Sequence, residues 1–555
     1  MTQTSQIDPR RREFVLPTRI VWQTEGAAAP QESAFLLTSN IGQAPLEARP
    51  YCTIPRTEQP SGLLLDFGRE LNGGVQIVVG QTSRQPVPVR IRFGESVSEA
   101  MGEPSNDHAN HDLIFPLTAM GAQEVGSTGF RFVRLDFPAG TELHLVAVRA
   151  VSLLRPLDYL GTFECSDARL NEIWQTGART VHLCMQDYVW DGIKRDRLVW
   201  IGDLHPEAMV IASVFGDHAI VPATLDYQRE RSPLPAWMNG ISSYSLWWLL
   251  IQRDWYRYQG DLAYLRQQGE YLTGLLALID SRVDAHGQEH LDGMRFLEWP
   301  TSRDPTAIDA GLQALVVLAL RAGAELCLAL ADTDAAARAL ATAERAASFA
   351  RPPSLSKQAN ALLALAGMAE PEAVNRDVLA RDPYRGLSTF YGYYILQARA
   401  AAGDYAGCLD LLRTYWGGML DMGATTFWEG FEIDWMLGSA RIDELVPAGQ
   451  RDIHGECGDY CYKGLRHSLC HGWAAGPTAW LMEHVLGIAP ASPGFGTVTV
   501  KPHLAGLAYA RGTFPTPHGL IEVSHERGAG GEVTTKLNLP GGVRLVAGEL
   551  PNRRQ

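Results

Sequence analysis

The sequence predicts a multidomain protein in which a central (α/α)6 barrel is flanked by N-terminal and C-terminal antiparallel β-sandwich domains. Three observations lead there. Period-two apolar runs broken by Gly, Pro and Asn fill residues 15–155, apolar residues recur every three or four positions through the middle of the chain, and the period-two pattern returns past Pro490. A chain of 555 residues is also too long for one hydrophobic core.

The first domain, residues 1–158, rests on runs such as "GLLLDFGRELNGGVQIVVG", "VPVRIRFGES", "FRFVRLDF" and "ELHLVAVRAVSLL", whose alternation and turn spacing suit an antiparallel sandwich. The second, residues 159–488, contains "LQALVVLALRAGAELCLALADTDAAARALATAERAASFA", "SKQANALLALAGMA" and "YAGCLDLLRTYWGGML", helical by length, Ala/Leu content and spacing. Its Trp, Asp, Glu and His collect in the Gly- and Pro-punctuated stretches between helices. A toroid of helix pairs gathers such loops at one end, where sites usually sit. The third domain, residues 489–555, carries "GFGTVTVKPHL", "GLIEVSHE" and "EVTTKLNLPGGVRLVAG" and reads as a smaller sandwich.

Lys plus Arg number 48 and Asp plus Glu 62, a formal charge of −14 with no long basic block, which argues against nucleic acid as a partner. A neutral or cationic small substrate fits better. The stretch "MTQTSQIDPRRREFVLP" lacks the apolar core of a secretory leader, and no run of about 18 apolar residues suggests a membrane span. Eight Cys thinly scattered over a large chain are unlike a disulfide framework, so a cytoplasmic protein with reduced thiols is expected. An oligomer is compatible with all of this.

Chemistry concentrates in three stretches. "DGIKRDRLVWIGDLHPE", residues 191–207, sets four carboxylates and three basic groups among apolar residues. Pro206 suits the first turn of a helix through "PEAMVIASVF", leaving 191–203 as a loop whose Asp191, Arg195, Asp196, Arg197, Trp200 and Asp203 can converge on a pocket. The plainer alternative is that Asp203 caps the helix and the Asp/Arg pairs are surface ion pairs. "GATTFWEGFEIDW" interleaves Glu429 and Glu432 with Phe427, Trp428, Phe431 and Trp435. Carboxylates walled by aromatics are what sugar chemistry needs, rings covering apolar sugar faces while carboxylates bind hydroxyls or move protons. The third stretch holds His454, Cys457, Cys461, His467, Cys470 and His471, but its spacings match no common zinc finger, so no metal is expected. Trp237, Trp247, Trp248 and Trp255 read as core. Trp299, beside Glu298, Pro300 and Arg303, reads as a pocket residue.

At these residues the sequence resembles the α-L-rhamnosidases of glycoside hydrolase family 78. The likeness lies in "LDFGRELNGG", "GFRFVRLDF", "DGIKRDRLVWIGD", "GATTFWE" and "SPGFGTVTVKPHLAGLAYARGTFPTPHGLIEVS", and spans most of the chain. It implies the same barrel-and-sandwich architecture, inverting hydrolysis of terminal α-L-rhamnosyl groups from a rhamnose-containing oligosaccharide or glycoside, and no cofactor. Inversion needs an acid and a base roughly 6.5–9.5 Å apart. The family's base, the Glu of its Trp-Glu motif, falls on Glu429. Its acid lies in a segment resembling Asp-x-x-x-Arg-Asp-Glu-Arg-Leu-Gly-Trp-x-Gly-Asp, but "DGIKRDRLVW" is one residue shorter and lacks that Glu between Asp196 and Arg197. Asp196 becomes the expected acid, with Asp191 or Glu207 as substitutes. By the same matching Asp191, Arg195, Trp200, Asp203, Trp299 and His471 are expected to bind the sugar. The alternatives are a glycosidase of the same scaffold acting on another terminal sugar, and a non-catalytic carbohydrate-binding relative.

Overall fold

The structure is a computed structural model, and it describes residues 7–46, 50–83, 86–103, 111–350, 352 and 354–546. Residues 1–6 and 547–555, at the outer ends of the first and third expected domains and, for 1–6, within the stretch used for the leader expectation, lie outside the described residues.

The first part of the chain is one continuous antiparallel sheet of eight strands running from Arg11 to Leu154. Its backbone is the long strand Ser61–Thr82, which pairs with Gly121–Phe137 along most of its length and with Leu143–Leu154 beyond Gly73. Register shifts near Asp66/Leu71 and Gly73/Val75 bend these strands. Gly73 is required there: its φ is 147°, and a Cβ would sit 2.0 Å from the Val151 carbonyl oxygen. Inward residues such as Leu65, Ile77, Ile91, Val133 and Val148 share one core drawn almost wholly from these strands, so the sheet folds over and covers itself. The stretch "LDFGRELNGG" docks the sheet onto the helical region. Asp66 receives a bidentate pair from Arg131 (2.8 and 3.0 Å), whose Nη1 donates to the Gly423 carbonyl at 3.0 Å.

From Ala168 to Leu486 the chain is mainly helical, and helices adjacent in sequence pack side by side. Acidic N-caps start many of them: Asp167, Asp261, Asp304, Asp332 and Asp404 each accept backbone N–H bonds, a device worth about 1 kcal/mol per helix. Pro305–Ala329 is long and apolar enough to cross a membrane, but 72% of its most apolar window is buried in the protein, as suits a core helix. Trp237, Trp247, Trp248 and Trp255 are all buried.

The helix expected to start at Pro206 starts at Ile201 and runs to Val214, so Asp203 lies in its first turn rather than in the preceding loop. The earlier start is favoured by Asp203 at the positive end of the helix and by the Asn239 side chain, which accepts from the Ile201 N–H at 3.2 Å. Pro206 costs only the one hydrogen bond it would have donated back to Gly202.

The last part forms a four-stranded antiparallel sheet and a three-stranded sheet. Thr162–Cys165, grouped with the helical domain in the sequence reading, is the edge strand of the four-stranded sheet, paired to Tyr509–Thr516. Its alternating exposed and buried residues fit that edge. This pairing ties the entrance of the helical region to its exit.

Candidate active site

The loop 191–200 is closed on itself. The Asp191 N–H donates to the Leu198 carbonyl (3.1 Å), and the Leu198 N–H donates to Asp191 Oδ1 (2.8 Å). Between these ends the chain turns through Asp196 and Arg197, both left-handed with φ of 53° and 55°. This is where the family pattern has one more residue, and each left-handed non-glycine costs of order 1 kcal/mol. Arg195 Nη1 lies 3.3 Å from Asp196 Oδ1, and Arg197 donates to the Ser127 carbonyl at 2.7 Å and stacks over Trp190.

The "GATTFWEG" segment is held from several sides. Phe427 N–H donates to Thr180 Oγ1 (3.0 Å) and Thr426 Oγ1 to the Leu469 carbonyl (2.7 Å). The Glu429 carbonyl accepts from Thr389 Oγ1 (2.6 Å) and Trp473 Nε1 (2.8 Å). Its buried carboxylate accepts from Arg195 Nη2, from the Ser468 N–H at 3.3 Å and from the Cys461 thiol at 3.8 Å.

Asp203 and His471 form a second buried pair, Nε2 to Oδ2 3.0 Å, with the Tyr244 hydroxyl donating to Asp203 at 3.4 Å. Burial pushes the Asp203 carboxyl up, against the pull of His471. Burial works to lower His471, but Glu429 and Asp203 outweigh it and hold the imidazole above its ordinary value. Asp191 is raised well above the carboxylate range by burial and by Asp203, with His471 opposing.

Asp191, Arg195, Asp196, Trp200, Asp203, Trp299, Glu429 and His471, the residues expected to act on or bind the sugar, line one cavity of about 270 Å³, whereas Arg197, also expected to converge there, does not line it and is held by Ser127 and Trp190 instead. Trp200, Tyr244, Phe296 and Trp299 run along it in a chain of edge-on ring contacts with centroid separations of 6.2, 6.5 and 5.1 Å. The loop carrying Trp299 is anchored by Glu298, which is fully buried, accepts from Ser388 Oγ, and is pushed by burial up to about 8. Glu207 does not line the cavity. It packs against Gly472, where an added Cβ would lie 1.5 Å from its carboxyl oxygen, and burial raises it well above the usual range. Tyr244, Phe296, Cys461 and Trp473 line the cavity but were not expected from the sequence.

Nor was the part played by the N-terminal sheet. Lys194, fully buried beside Arg195, reaches Glu99 (3.0 Å) and Glu95 (3.2 Å) of that domain and the Leu465 and His467 carbonyls (2.9 and 2.7 Å). Glu95 in turn accepts from the Leu469 N–H at 2.6 Å. Glu95, Glu99 and His454 have the proximity of a metal-binding set, but the Lys194 ammonium already supplies the cation to both carboxylates. The Cys/His stretch is divided among separate partners: His454 bonds Ser96 Oγ and the His467 carbonyl, His467 accepts from the Gly430 N–H, Cys461 faces Glu429, and His471 faces Asp203.

Residues 158–360 match the family model described as the bacterial alpha-L-rhamnosidase 6 hairpin glycosidase domain, and residues 487–548 match the bacterial alpha-L-rhamnosidase C-terminal domain. Two segments of the chain are thus similar to domains of bacterial α-L-rhamnosidases. An α-L-rhamnosidase of Streptomyces avermitilis is 28% identical over 123 residues, which is 22% of this chain and 10% of that protein. One from an Alteromonas species is 30% identical over 111 residues, 20% of this chain and 10% of its own length. Among solved structures, a family 78 rhamnosidase of Bacillus sp. GL1 superposes with a TM-score of 0.73 at 22% identity, covering 94% of this chain and 57% of that one. A rhamnosidase from Klebsiella oxytoca with rhamnose bound gives 0.65 at 21% identity, covering 86% of this chain and 96% of that one. These similarities establish a rhamnosidase-type fold, a six-hairpin glycosidase domain between sheet-rich terminal regions.

Proposed function

We propose that the protein is an inverting α-L-rhamnosidase that removes terminal α-L-rhamnosyl groups, and that its six-hairpin domain is an (α/α)6 barrel. The observation that carries this is the pair of carboxyl groups on one guanidinium: Arg195 touches Asp196 through Nη1 and Glu429 through Nη2 in a sugar-sized cavity walled by four rings. A path from Oδ1 through the two guanidinium nitrogens to Oε2 keeps the carboxylates below the roughly 9.5 Å upper limit for an inverting pair. Glu429, ion-paired and buried, activates the water. Asp196, with 27% of its side chain exposed, protonates the departing oxygen at the cavity mouth.

Asp191, Arg195, Asp203 and His471 offer polar hydrogen-bond partners to the vicinal hydroxyls, while Trp200 and Trp299 suit the apolar ring face and methyl group. The rhamnose-bound relative supports this choice of sugar. Reduced thiols at all eight Cys support a cytoplasmic protein. A specific observation favours a second assignment of the acid: Asp191 lines the same cavity, and burial keeps its carboxyl protonated to higher pH.

The test is the anomer of the first product. NMR of early turnover from an α-linked rhamnoside is expected to contain β-L-rhamnose, and the rhamnoside is expected to be the fastest substrate in a panel of nitrophenyl glycosides. Early α-L-rhamnose overturns inversion, faster turnover of a glucoside or uronide overturns the sugar, and rhamnose binding without turnover identifies a non-catalytic relative.

A further inference from the structure

A second cavity, about 310 Å³ and thus larger than the candidate active site, lies farther along the same helices. The helix Ser242–Gln259 contributes Tyr244 to the first cavity and Trp247, Asp254 and Tyr258 to the second. At about 1.5 Å per residue, Tyr244 and Asp254 are separated by roughly 15 Å along the axis. The helix Ile201–Val214 does the same, with Asp203 in the first cavity and His205 and Met209 in the second. Protein interiors are close-packed, and a void this large with polar walls holds water or a ligand.

The walls are specific. The rings of Trp247, Tyr258, Tyr393 and Tyr394 are all buried, and His205 stacks on Trp247 and Tyr394. Each charged group of the lining has a partner. Asp254 accepts from Arg253 (2.8 and 2.9 Å) and from His205 Nε2 (2.9 Å), while His205 Nδ1 meets the Tyr394 hydroxyl at 2.9 Å. Glu483 accepts from Gln397 at 2.8 Å, and Arg257 pairs with Glu325. The lining thus balances two arginines with two carboxylates and carries no excess charge of either sign. Among the described residues the Tyr258 hydroxyl has no hydrogen-bond partner, although its ring is buried in the wall. Arg257, 44% exposed, and Glu483, 31% exposed, stand where solvent reaches this lining.

We propose that this second cavity is a binding site for a small neutral polyhydroxylated ligand of monosaccharide size. Aromatic faces cover the C–H side of such a molecule, and paired polar groups with spare lone pairs and N–H bonds meet its hydroxyls. A phosphorylated or uronic sugar would bring a charge that nothing in the cavity is free to neutralise. The proposal is independent of which bond the first cavity cleaves.

The test uses the full chain with L-rhamnose and D-glucose as neutral probes, and D-glucuronate and D-glucose 6-phosphate as charged ones. Crystals soaked in the neutral sugars are expected to show density against Tyr258 and Tyr394. Ligand-observed NMR titration is expected to retain this binding in Asp203→Asn, which removes a carboxylate that lines the first cavity and not the second. Tyr258→Phe is expected to weaken it about fivefold, the worth of one hydrogen bond, and Leu365→Trp, which fills the space, to abolish it. If Leu365→Trp does not fold, Tyr258→Phe and the soaked crystals decide. Tighter binding of the charged sugars, loss of all binding in Asp203→Asn, or a soaked crystal with only water in the cavity would overturn the proposal. Binding of D-glucose here with no rhamnose bound in the first cavity would sustain it while removing the rhamnosidase reading.

Discussion

Glu429 and Asp196 contact one guanidinium, yet the protein holds them in opposite ways. Glu429 is 4% exposed, and its main chain and carboxylate are fixed by Thr389, Trp473, Ser468 and Arg195. Asp196 projects from a turn of two left-handed residues, and Arg195 is the one side chain pairing with its carboxylate among the described residues. Water activation needs a base whose position survives every turnover. A proton donor to leaving groups of different size needs exposure and tolerates movement. The difference teaches that a carboxylate's freedom, as much as its identity, separates the two roles in a bond-breaking site.

The largest expected effect comes from the rigid partner. Glu429→Gln keeps the shape and the hydrogen bonds to Thr389 and Trp473, but removes the base, so kcat on any rhamnoside should fall by roughly 10²–10⁴-fold. The loss should be alike for good and poor leaving groups, since water activation is needed in both. A loss confined to poor leaving groups would reverse the two assignments.

Asp196→Asn should lower kcat on a natural glycoside by a similar factor, but on an activated aryl rhamnoside by about tenfold or less, because that leaving group departs with little protonation. Parallel measurements with Asp191→Asn sharpen the contrast. If the leaving-group dependence follows Asp191 instead, the buried, burial-raised carboxyl is the donor and Asp196 only orients Arg195.

Lys194→Met asks whether the rigidity of Glu429 depends on the N-terminal sheet. Removing the ammonium leaves Glu95 and Glu99 buried side by side, a defect of about 3–5 kcal/mol before the carboxyls take up protons. Thermal unfolding should shift down by several degrees. The same lysine braces the Leu465 and His467 carbonyls next to Ser468, so kcat should fall while KM changes little. Full activity in a merely less stable protein would limit Lys194 to holding the domains together.

Much of this site was legible because its residues are close in sequence. Asp191 to Asp203 lie within one loop and the first turn of a helix, and "GATTFWE" sets the base between aromatic residues. Their chemical density is visible without a fold. Tyr244 and Phe296 were not legible, since a Tyr on an apolar helix and a Phe in a loop look like any core residues until the backbone brings them to Trp200 and Trp299. The Lys194–Glu99 pair spans 95 positions and carries no local pattern. The same limit applied to the fold. Period-two texture marked the strands, but not that Thr162–Cys165 would cross the boundary to join a sheet more than 340 residues later. The start of the helix at Ile201 was hidden because Pro206 is an equally good start signal, and tertiary contacts from Asn239 decided between them.

The smallest expected effect is a pH dependence that separates the buried His471–Asp203 pair from the exposed acid. His471 is held above its ordinary value in the folded protein. A raised folded-state value means that the pair contributes its stability in full below the unfolded histidine's value of about 6.5 and loses it as the pH rises through the higher folded value. Asp203, also raised, acts in the same direction, because its buried charge becomes harder to sustain as protons leave. The difference in Tm between the wild type and His471→Gln should therefore be widest near pH 6 and narrow steadily on the alkaline side. Exposed Asp196 sits outside this pair, and Asp196→Asn should leave the slope of Tm against pH in that range unchanged. A gap that widens with alkali would mean that His471 is neutral in the folded protein and acts on Asp203 only as a hydrogen-bond donor.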